Sequence, residues 1–253
     1  MKSAICLLCV EPHPGHVKFL EKISGDYTKI MLCDRSTGGY TSDIVQFITI
    51  DDNICSSEGY RNMNYCVPKN PSAWDKAIYY FCKIDPSYDY VWFLEDDVFV
   101  SSIHAVSNVD KIYGHADLLC KENTIITDGH TSGWTHRFQA LEHHPLPWYI
   151  SMICACRISR ALLQKIKEYV DIHHTLFYLE IMVNTISMHH DLTVVNPIEL
   201  RTIMPSSEVG KRVRRYNKDG KYTWVQQTMD HVEPNYFYHP MKDFALHDKF
   251  RLN

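Results

Sequence analysis

The sequence predicts a single α/β domain with a central, mostly parallel β-sheet flanked by helices. Three observations support this fold class. Short apolar runs alternate with helical stretches through the first half of the chain, which is the order that gives a parallel sheet covered by helices. The early apolar runs end in polar residues. No linker, internal repeat or low-complexity segment divides the 253 residues.

The first half supplies four predicted strands and two predicted helices. Ser72 is a favoured N-cap residue for the second helix, and the short apolar run before position 95 is typical of a buried central strand. Ligands of open α/β sheets bind outside the carboxyl ends of the strands, so the polar residues that follow these strands are candidate binding residues. The predicted strands cover residues 4–10, 29–33, 44–50 and 90–94, and the predicted helices cover 17–23 and 73–83.

The second half is predicted to continue the same domain. A strand is predicted over residues 148–156, and Ser159 begins an amphipathic helix that continues to residue 170. A second helix is predicted over 176–189. Two late strands, over 192–195 and 199–203, complete the prediction.

The charge of the chain restricts its partners. A formal net charge of −4 argues against a protein that mainly covers nucleic acid phosphates, so we expect no nucleic acid partner. The composition, with 45% hydrophobic and 22% charged residues, is that of a globular domain with ample core material. One basic run stands apart, at residues 211–215. It is interpreted either as a solvated loop, the usual state of such runs, or as a mobile cover for a diphosphate.

Cysteine use and hydropathy bear on the compartment. The chain has nine cysteines, an odd number, and most of them lie inside apolar runs where cysteine behaves as a small hydrophobic residue. We therefore expect a reducing compartment and a cytoplasmic location. No apolar run reaches the roughly 18 residues that a membrane helix needs. The cysteines inside apolar runs are Cys6, Cys33, Cys82, Cys154 and Cys156.

Three adjacent carboxylates, Glu95, Asp96 and Asp97, give the clearest chemical signal in the sequence. Like charges at the end of a buried strand raise one another's pKa unless a cation neutralises them. Hard divalent ions take oxygen ligands and complete their shells with substrate phosphates. The triplet therefore predicts a Mn²⁺ or Mg²⁺ site, with a solvated acidic turn as the alternative.

The stretch Val91–Val98 (VWFLEDDV) resembles the acidic motif of GT-A glycosyltransferases, a DxD-type element that ends a central strand. The resemblance implies a GT-A-like, Rossmann-like fold and a metal-dependent use of a nucleotide-sugar donor. It also implies that Asp97 binds the metal, while Glu95 and Asp96 contact the donor's ribose or waters around the ion. The first motif position is Glu here, a known style of the motif.

Softer matches spread the resemblance across most of the chain. Polar residues at the ends of the first two strands occupy positions where the family binds the nucleotide base, with ordinary loop polarity as the alternative. The start of the helix before the acidic strand is a place where the family often has donor-contacting polar groups, although Trp74 there is equally explained as core. The implied donor-binding residues are Glu11, Asp34, Arg35, Asp75 and Lys76.

Two further segments resemble catalytic elements of the family. The stretch around Glu180 is similar to the one that often carries the catalytic carboxylate of inverting members, so Glu180 is the candidate general base, with a plain surface carboxylate as the alternative. The C-terminal run from His239 to Lys242 is similar to an element in which a His completes the metal site and a Lys neutralises the leaving diphosphate. Imidazole suits Mn²⁺, and an ammonium suits a phosphate.

Aromatic residues between the acidic strand and the second-half helices are candidates for stacking on an acceptor sugar. They are Trp134 and Trp148, and core packing is the equal alternative for both. The resemblance thus divides the one domain into a nucleotide-sugar half, about residues 1–100, and an acceptor half, about residues 101–253.

The predicted activity is transfer of a UDP- or GDP-linked sugar to a hydroxyl of a glycan or other acceptor, with inversion if Glu180 is the base. Two other classes stay open. A nucleotidyltransferase would attack the α-phosphate and release pyrophosphate, and a non-catalytic sugar- or nucleotide-binding protein would show no turnover. The sequence contains no Walker loop, nucleophile elbow or GxGxxG fingerprint, which weakens kinase, esterase and dehydrogenase interpretations.

Overall fold

A computed structural model describes residues 1–63, 70–130, 144–203 and 232–252, together with the backbone of 212–216 and 222–226. The strands, in chain order, are β1 (Ser3–Cys9), β2 (Tyr27–Cys33), β3 (Val45–Ile48), β4 (Tyr90–Glu95), β5 (Phe99–Val100), β6 (Leu118–Leu119), β7 (Thr124–Ile126), β8 (Trp148–Ile150), β9 (Ala155–Ser159), β10 (Val194–Val195), β11 (Arg212–Tyr216), β12 (Tyr222–Gln226) and β13 (Phe237–Tyr238).

The helices of the described residues lie mostly between strands. They are α1 (Pro14–Lys22), α2 (Asp52–Ser57), α3 (Ala73–Tyr79), α4 (Ala105–Tyr113), α5 (Arg160–His173), α6 (Leu179–His189) and α7 (Phe244–Phe250). A π-helical turn, Tyr80–Ile84, extends α3, and a 3₁₀ turn covers Ile198–Leu200. None of these helices has both the length and the apolar character needed to cross a bilayer.

Seven strands form one sheet in the described part of the chain, in the order β10-β6-β9-β4-β1-β2-β3. The pairs β10-β6, β4-β1, β1-β2 and β2-β3 are parallel, whereas β9 runs antiparallel to both of its neighbours, β4 and β6. The predicted fold class, a mostly parallel sheet flanked by helices, is confirmed.

Both faces of the sheet are covered, which explains why its central strands are continuously apolar. In β1, Cys6 and Leu8 pack into one hydrophobic layer, with residues of α3, α5 and α6. The neighbouring Ile5 and Leu7 pack into the opposite layer, with residues of α1 and α4. This alternation places successive side chains of one strand on opposite faces.

Strand register brings polar residues to one edge of the sheet. Because β1, β2 and β4 are parallel, their carboxyl ends lie together, with Cys9 beside Cys33 and Leu8 beside Glu95. The antiparallel β9 begins at this same edge, where Ala155 pairs with Leu94. The residue before β9, Cys154, therefore lies beside Glu95.

A short pairing fixes the C-terminal segment against the central strand. In it, β13 runs antiparallel to β5, with Tyr238 opposite Phe99. The fully buried ring of Phe237 stacks on the fully buried ring of Trp92 in β4, with centroids 5.3 Å apart and 8° between the planes. The residue that follows β13, His239, is thereby placed next to the acidic turn that follows β4.

Three predicted segments differ from the structure. The predicted strand over 148–156 is two strands, because β8 pairs with β7 outside the central sheet whereas β9 pairs within it. Between them, the N–H of Ser151 donates to the carbonyl of Glu180. The predicted strand over 199–203 is replaced by the 3₁₀ turn, which follows Pro197, a residue with no N–H for a sheet. The basic run at 211–215, interpreted as a loop, largely forms the backbone of β11, which pairs with β12.

Candidate metal and donor site

The acidic residues form a tight turn at the end of β4. The N–H of Val98 donates to the carbonyl of Glu95 at 3.0 Å and closes the turn. Burial, together with repulsion from Asp97 and Glu95, raises the pKa of Asp96 to about 6, although Lys242 and His239 act to lower it. The turn therefore concentrates negative charge where little water screens it.

Two basic side chains from the C-terminal segment face this charge. His239 Nε2 lies 2.9 Å from Asp97 Oδ1 and 3.4 Å from Glu95 Oε2, and Lys242 Nζ lies 3.1 Å from Asp97 Oδ2. The N–H of Met241 also donates to the carbonyl of Asp97 at 2.7 Å. Both side chains therefore contact Asp97, while the metal role predicted for His239 and the diphosphate role predicted for Lys242 stay predictions.

The contacts within this cluster lower the pKa of Asp97 and raise the pKa of His239. Burial alone would raise the pKa of Asp97, but the hydrogen bond and charge of His239, with the charge of Lys242, lower it to about 2. Burial alone would lower the pKa of His239, but Cys154, Asp97 and Glu95 raise it well above its ordinary value. Asp97 is thus a carboxylate held between two cationic groups.

Hydrogen bonds from two other elements hold the turn in place. Trp74 Nε1 of α3 donates to Glu95 Oε1 at 2.8 Å, which leaves Oε2 of that carboxylate facing His239. His16 Nε2 of α1 lies 2.7 Å from the carbonyl oxygen of Asp96. Burial, chiefly, lowers the pKa of His16 to about 4, so its neutral ring donates this bond. Neither contact was anticipated from the sequence.

Cys154 is a site residue that the sequence analysis assigned to the core. Its Sγ, a Glu95 carboxylate oxygen and a His239 ring nitrogen lie within 4.8 Å of one another. Burial raises the pKa of the Cys154 thiol to about 12. No sequence signal indicated this contact, because the predicted strand over 148–156 contained Cys154 and its antiparallel register with β4 was not predicted.

The donor atoms at this site suit a divalent ion. Carboxylate oxygens of Glu95 and Asp97 converge on the imidazole of His239. His239 Nδ1 is buried and has no hydrogen-bond partner among the described residues. Mixed oxygen and imidazole ligands suit Mn²⁺, whereas Mg²⁺ prefers oxygen alone. The residues present therefore fit a divalent ion of the kind that the acidic motif implies.

Glu180 lies in the first turn of α6, near the acidic turn. Its carbonyl accepts hydrogen bonds from Ser151 N–H and Asn184 Nδ2, both at 3.1 Å, which fix the backbone. The residue is 8% exposed, and its Oε2 has no hydrogen-bond partner in the described parts of the chain. Burial raises the pKa of Glu180 to about 7, assisted by repulsion from Glu95 and opposed by Tyr178 and His239. Glu180 is therefore not an ordinary surface carboxylate.

The predicted nucleotide-binding residues lie along the edge that β1 and β2 share. Glu11 and Arg35 are exposed, and Asp34 is partly buried. Lys76 is almost fully buried, with Nζ 2.8 Å from Asp34 Oδ1 and 2.6 Å from Asp52 Oδ1. Burial opposes its charge, but the bonds to these two carboxylates outweigh burial and raise the pKa of Lys76. Lys76 thus orients Asp34 instead of projecting toward a donor.

Two other side chains that were predicted to contact a ligand, those of Asp75 and Trp148, form hydrogen bonds within the protein. Asp75 is 1% exposed, and its carboxylate accepts the N–H groups of Met63 (2.8 Å) and Ser72 (2.7 Å) as part of the capping box of α3. Trp148 is fully buried, and its Nε1 donates to the carbonyl of His144 at 2.9 Å. In this structure neither side chain offers a surface to a ligand. Trp134 lies outside the described residues.

Comparisons with known proteins return similar folds only. No protein-family model and no curated protein matches the chain. Among solved structures, the galactosyltransferase LgtC in complex with donor and acceptor sugar analogues is 13% identical over 76% of this chain and 72% of its own, with a TM-score of 0.43. The 4-diphosphocytidyl-2C-methyl-D-erythritol synthase of Anaerococcus prevotii is 8% identical over 77% of this chain and 87% of its own, with a TM-score of 0.43. Such similarity is limited to the broad arrangement of sheet and helices and assigns no activity to this chain.

Proposed function

We propose that this chain is a glycosyltransferase that moves a sugar from a UDP- or GDP-linked donor to a hydroxyl of a glycan or other acceptor. The observation that carries the proposal is the convergence of Asp97, His239 and Lys242 at the end of the central strand, with the buried Glu180 close by. This edge is where open α/β sheets bind ligands. The arrangement combines a cation site, a phosphate-binding cation and a base.

The donor would lie across the carboxyl ends of β1, β2 and β4. Glu11, Asp34 and Arg35 would contact the nucleotide, since they occupy the ends of the first two strands. Lys76 would act indirectly by holding Asp34. Asp96 would contact the ribose or ordered water, because its carboxylate belongs to the same turn as the proposed metal ligands.

Glu95, Asp97 and His239 would hold the ion, Mn²⁺ in preference to Mg²⁺. When bound, the ion neutralises the charge that develops on the departing diphosphate. Lys242 would add its ammonium to the same task, since its side chain is 54% exposed while its Nζ stays within 3.1 Å of Asp97 Oδ2. The lysine can therefore leave the carboxylate and follow a phosphate without disturbing the core.

Glu180 would accept the proton of the acceptor hydroxyl. A pKa of about 7 keeps a large part of Glu180 ionised near neutral pH, yet basic enough to take a proton. The acceptor oxygen would then form its bond to the anomeric carbon as the bond to the diphosphate breaks, which inverts the configuration. The half of the chain after residue 100, which contributes Glu180, is accordingly proposed to bind the acceptor.

The test is to incubate the chain with UDP- and GDP-sugars, candidate acceptors and Mn²⁺, and to identify the small product. A glycosyltransferase releases a nucleoside diphosphate and leaves the sugar on the acceptor, and EDTA should abolish the reaction. Release of pyrophosphate would instead identify a nucleotidyltransferase. Donor binding across the whole panel without any product would identify a non-catalytic binding protein.

A further inference from the structure

The thiol of Cys154 borders the proposed ion site on the side of β9. Its Sγ, a carboxylate oxygen of Glu95 and a ring nitrogen of His239 all lie within 4.8 Å of one another. Glu95 Oε2 and His239 Nε2 are 3.4 Å apart. Two ligands each about 2.1 Å from a tetrahedral ion are separated by about 3.4 Å, so this spacing fits shared coordination.

The sheet fixes the backbone of Cys154 beside Glu95, but the sheet does not require a cysteine at this position. The N–H of Glu95 donates to the carbonyl of Cys154 at 2.9 Å, and the next pair in the ladder is Leu94 with Ala155. These bonds involve the main chain only, so many residues would satisfy them. By contrast, the thiol of Cys82, another buried cysteine, donates to the carbonyl of Leu163 at 3.3 Å.

The chemistry of the three donors differs from that of an all-oxygen site. Thiolate and imidazole are softer ligands than carboxylate and shift a site toward Zn²⁺ and Co²⁺. Mg²⁺ keeps oxygen ligands and gains nothing from a sulfur. A cysteine at this position would therefore change which ion the site prefers.

We infer that Cys154 is a further ligand of the ion, in addition to the proposed ligands Glu95, Asp97 and His239, and that it makes the site prefer Co²⁺ and Zn²⁺ over Mg²⁺. The inference rests on the proposed function for the identity of the site, and it adds the sulfur ligand and the order of metal preference. It also defines the role of a buried cysteine that packing alone would explain as a small hydrophobic residue.

Co²⁺ is the probe that tests the inference, because a cobalt–thiolate bond gives a near-ultraviolet charge-transfer band that oxygen and nitrogen ligands do not give. The native chain, Cys154→Ser and Cys82→Ser are titrated with Co²⁺ and, separately, with Mg²⁺ by absorption and calorimetry. We expect the band in the native chain and in Cys82→Ser, and its loss in Cys154→Ser. The Kd of Cys154→Ser for Co²⁺ should rise about tenfold or more, or ~1.4 kcal/mol, while its Kd for Mg²⁺ stays unchanged.

Other outcomes overturn the inference in distinguishable ways. Co²⁺ binding to the native chain without the band, or an equal band in Cys154→Ser, removes Cys154 from the ligand set and leaves the proposed function intact. If no divalent ion binds, the ion site is absent, and both the inference and the metal-dependent part of the proposed function are wrong. If circular dichroism shows that Cys154→Ser is unfolded, X-ray absorption of the Zn²⁺-loaded native chain decides. One sulfur at about 2.3 Å from the zinc is expected, and a shell of oxygen and nitrogen alone contradicts the inference.

Discussion

His239 Nε2 lies 2.9 Å from Asp97 Oδ1, although the two residues are 142 positions apart in the sequence. The contact depends on the pairing of β13 with β5. Strand β5 begins two residues after Asp97, and β13 ends one residue before His239. The acidic turn is thus completed only when the C-terminal segment has docked. Metal binding and docking of this segment should therefore stabilise each other, since an ion that binds only the complete site favours the docked state.

Asp97→Asn should impair metal-dependent binding of nucleoside diphosphate, because the change removes a ligand charge with little change in size. We expect the Kd for UDP or GDP in the presence of Mn²⁺ to rise about tenfold or more, equivalent to ~1.4 kcal/mol. Calorimetry gives the comparison, with Asp43→Asn, an exposed aspartate outside the site, as the control. Undiminished metal-dependent affinity in Asp97→Asn would show that the ion is held elsewhere.

Lys242→Ala should reduce turnover while leaving the fold unchanged, because the side chain is largely exposed and its ammonium is proposed to meet the diphosphate. The loss should be roughly a hundredfold, the scale for removing one group that stabilises transition-state charge. Lys249→Ala is the matched control, since Lys249 is exposed on the neighbouring α7. Full activity in Lys242→Ala would assign diphosphate neutralisation to another group. His239 is 7% exposed, so His239→Ala tests folding as well as turnover.

Glu180→Gln should separate binding from chemistry. The amide keeps the shape of the side chain but cannot accept the acceptor's proton, so transfer should fall about a hundredfold or more. Donor affinity should be retained, because the metal and nucleotide contacts lie at other residues. Single-turnover assays beside donor calorimetry measure the split, and Glu168→Gln, at a half-exposed side chain of α5, is the control. Transfer at the native rate, or retention of the donor's anomeric configuration, would contradict the assignment.

The fold was predictable because its central strands carry unambiguous local signals. The apolar run before Glu95 is buried on both faces of the sheet, and such runs are typical of central strands. The helix α4 was not predicted. The strands β5 and β13, which pair with each other and have only two residues each, were not predicted either. Elements of two residues have no periodicity to detect, since tertiary packing, such as the stacking of Phe237 on Trp92, determines them.

The candidate site was predictable only in part, for a related reason. The resemblance to GT-A glycosyltransferases implied roles for Asp97, Glu180, His239 and Lys242, which stay predictions. The structure brings Asp97, His239 and Lys242 into contact. The capping box that Ser72 forms with Asp75 is a local pattern that the sequence could have indicated. The ion-pair partners of Lys76, Asp34 and Asp52, are distant in sequence and could not be inferred from residue type. Residue type also could not separate Cys154 from the other buried cysteines, because only the antiparallel register places its sulfur beside Glu95.

The raised pKa of Glu180 predicts a pH dependence of stability in the metal-free chain. Burial raises this pKa from 4.5 to about 7, so the folded state holds the proton more tightly than the unfolded state does. The resulting stabilisation is fully present below pH 4.5 and is lost as the pH rises through about 7. Glu180→Gln has no such proton, so above pH 7 it should gain stability relative to the native chain by ~3 kcal/mol, at about 1.4 kcal/mol per pH unit.

Urea unfolding of the native chain and Glu180→Gln, with EDTA present, measures this difference at pH 4.5 and at pH 8. Asp75, whose pKa burial raises to about 6, is present in both proteins and cancels from the comparison. Glu122→Gln, at an exposed position, should not show the same change with pH. Glu180 can act as a base only when it is ionised, and it is mostly protonated below its pKa of about 7. The rate of transfer by the native chain should therefore also rise with pH up to about 7. A stability difference between native chain and Glu180→Gln that is constant from pH 4.5 to pH 8 would mean that Glu180 is solvated, which would remove the reason for treating it as a tuned base.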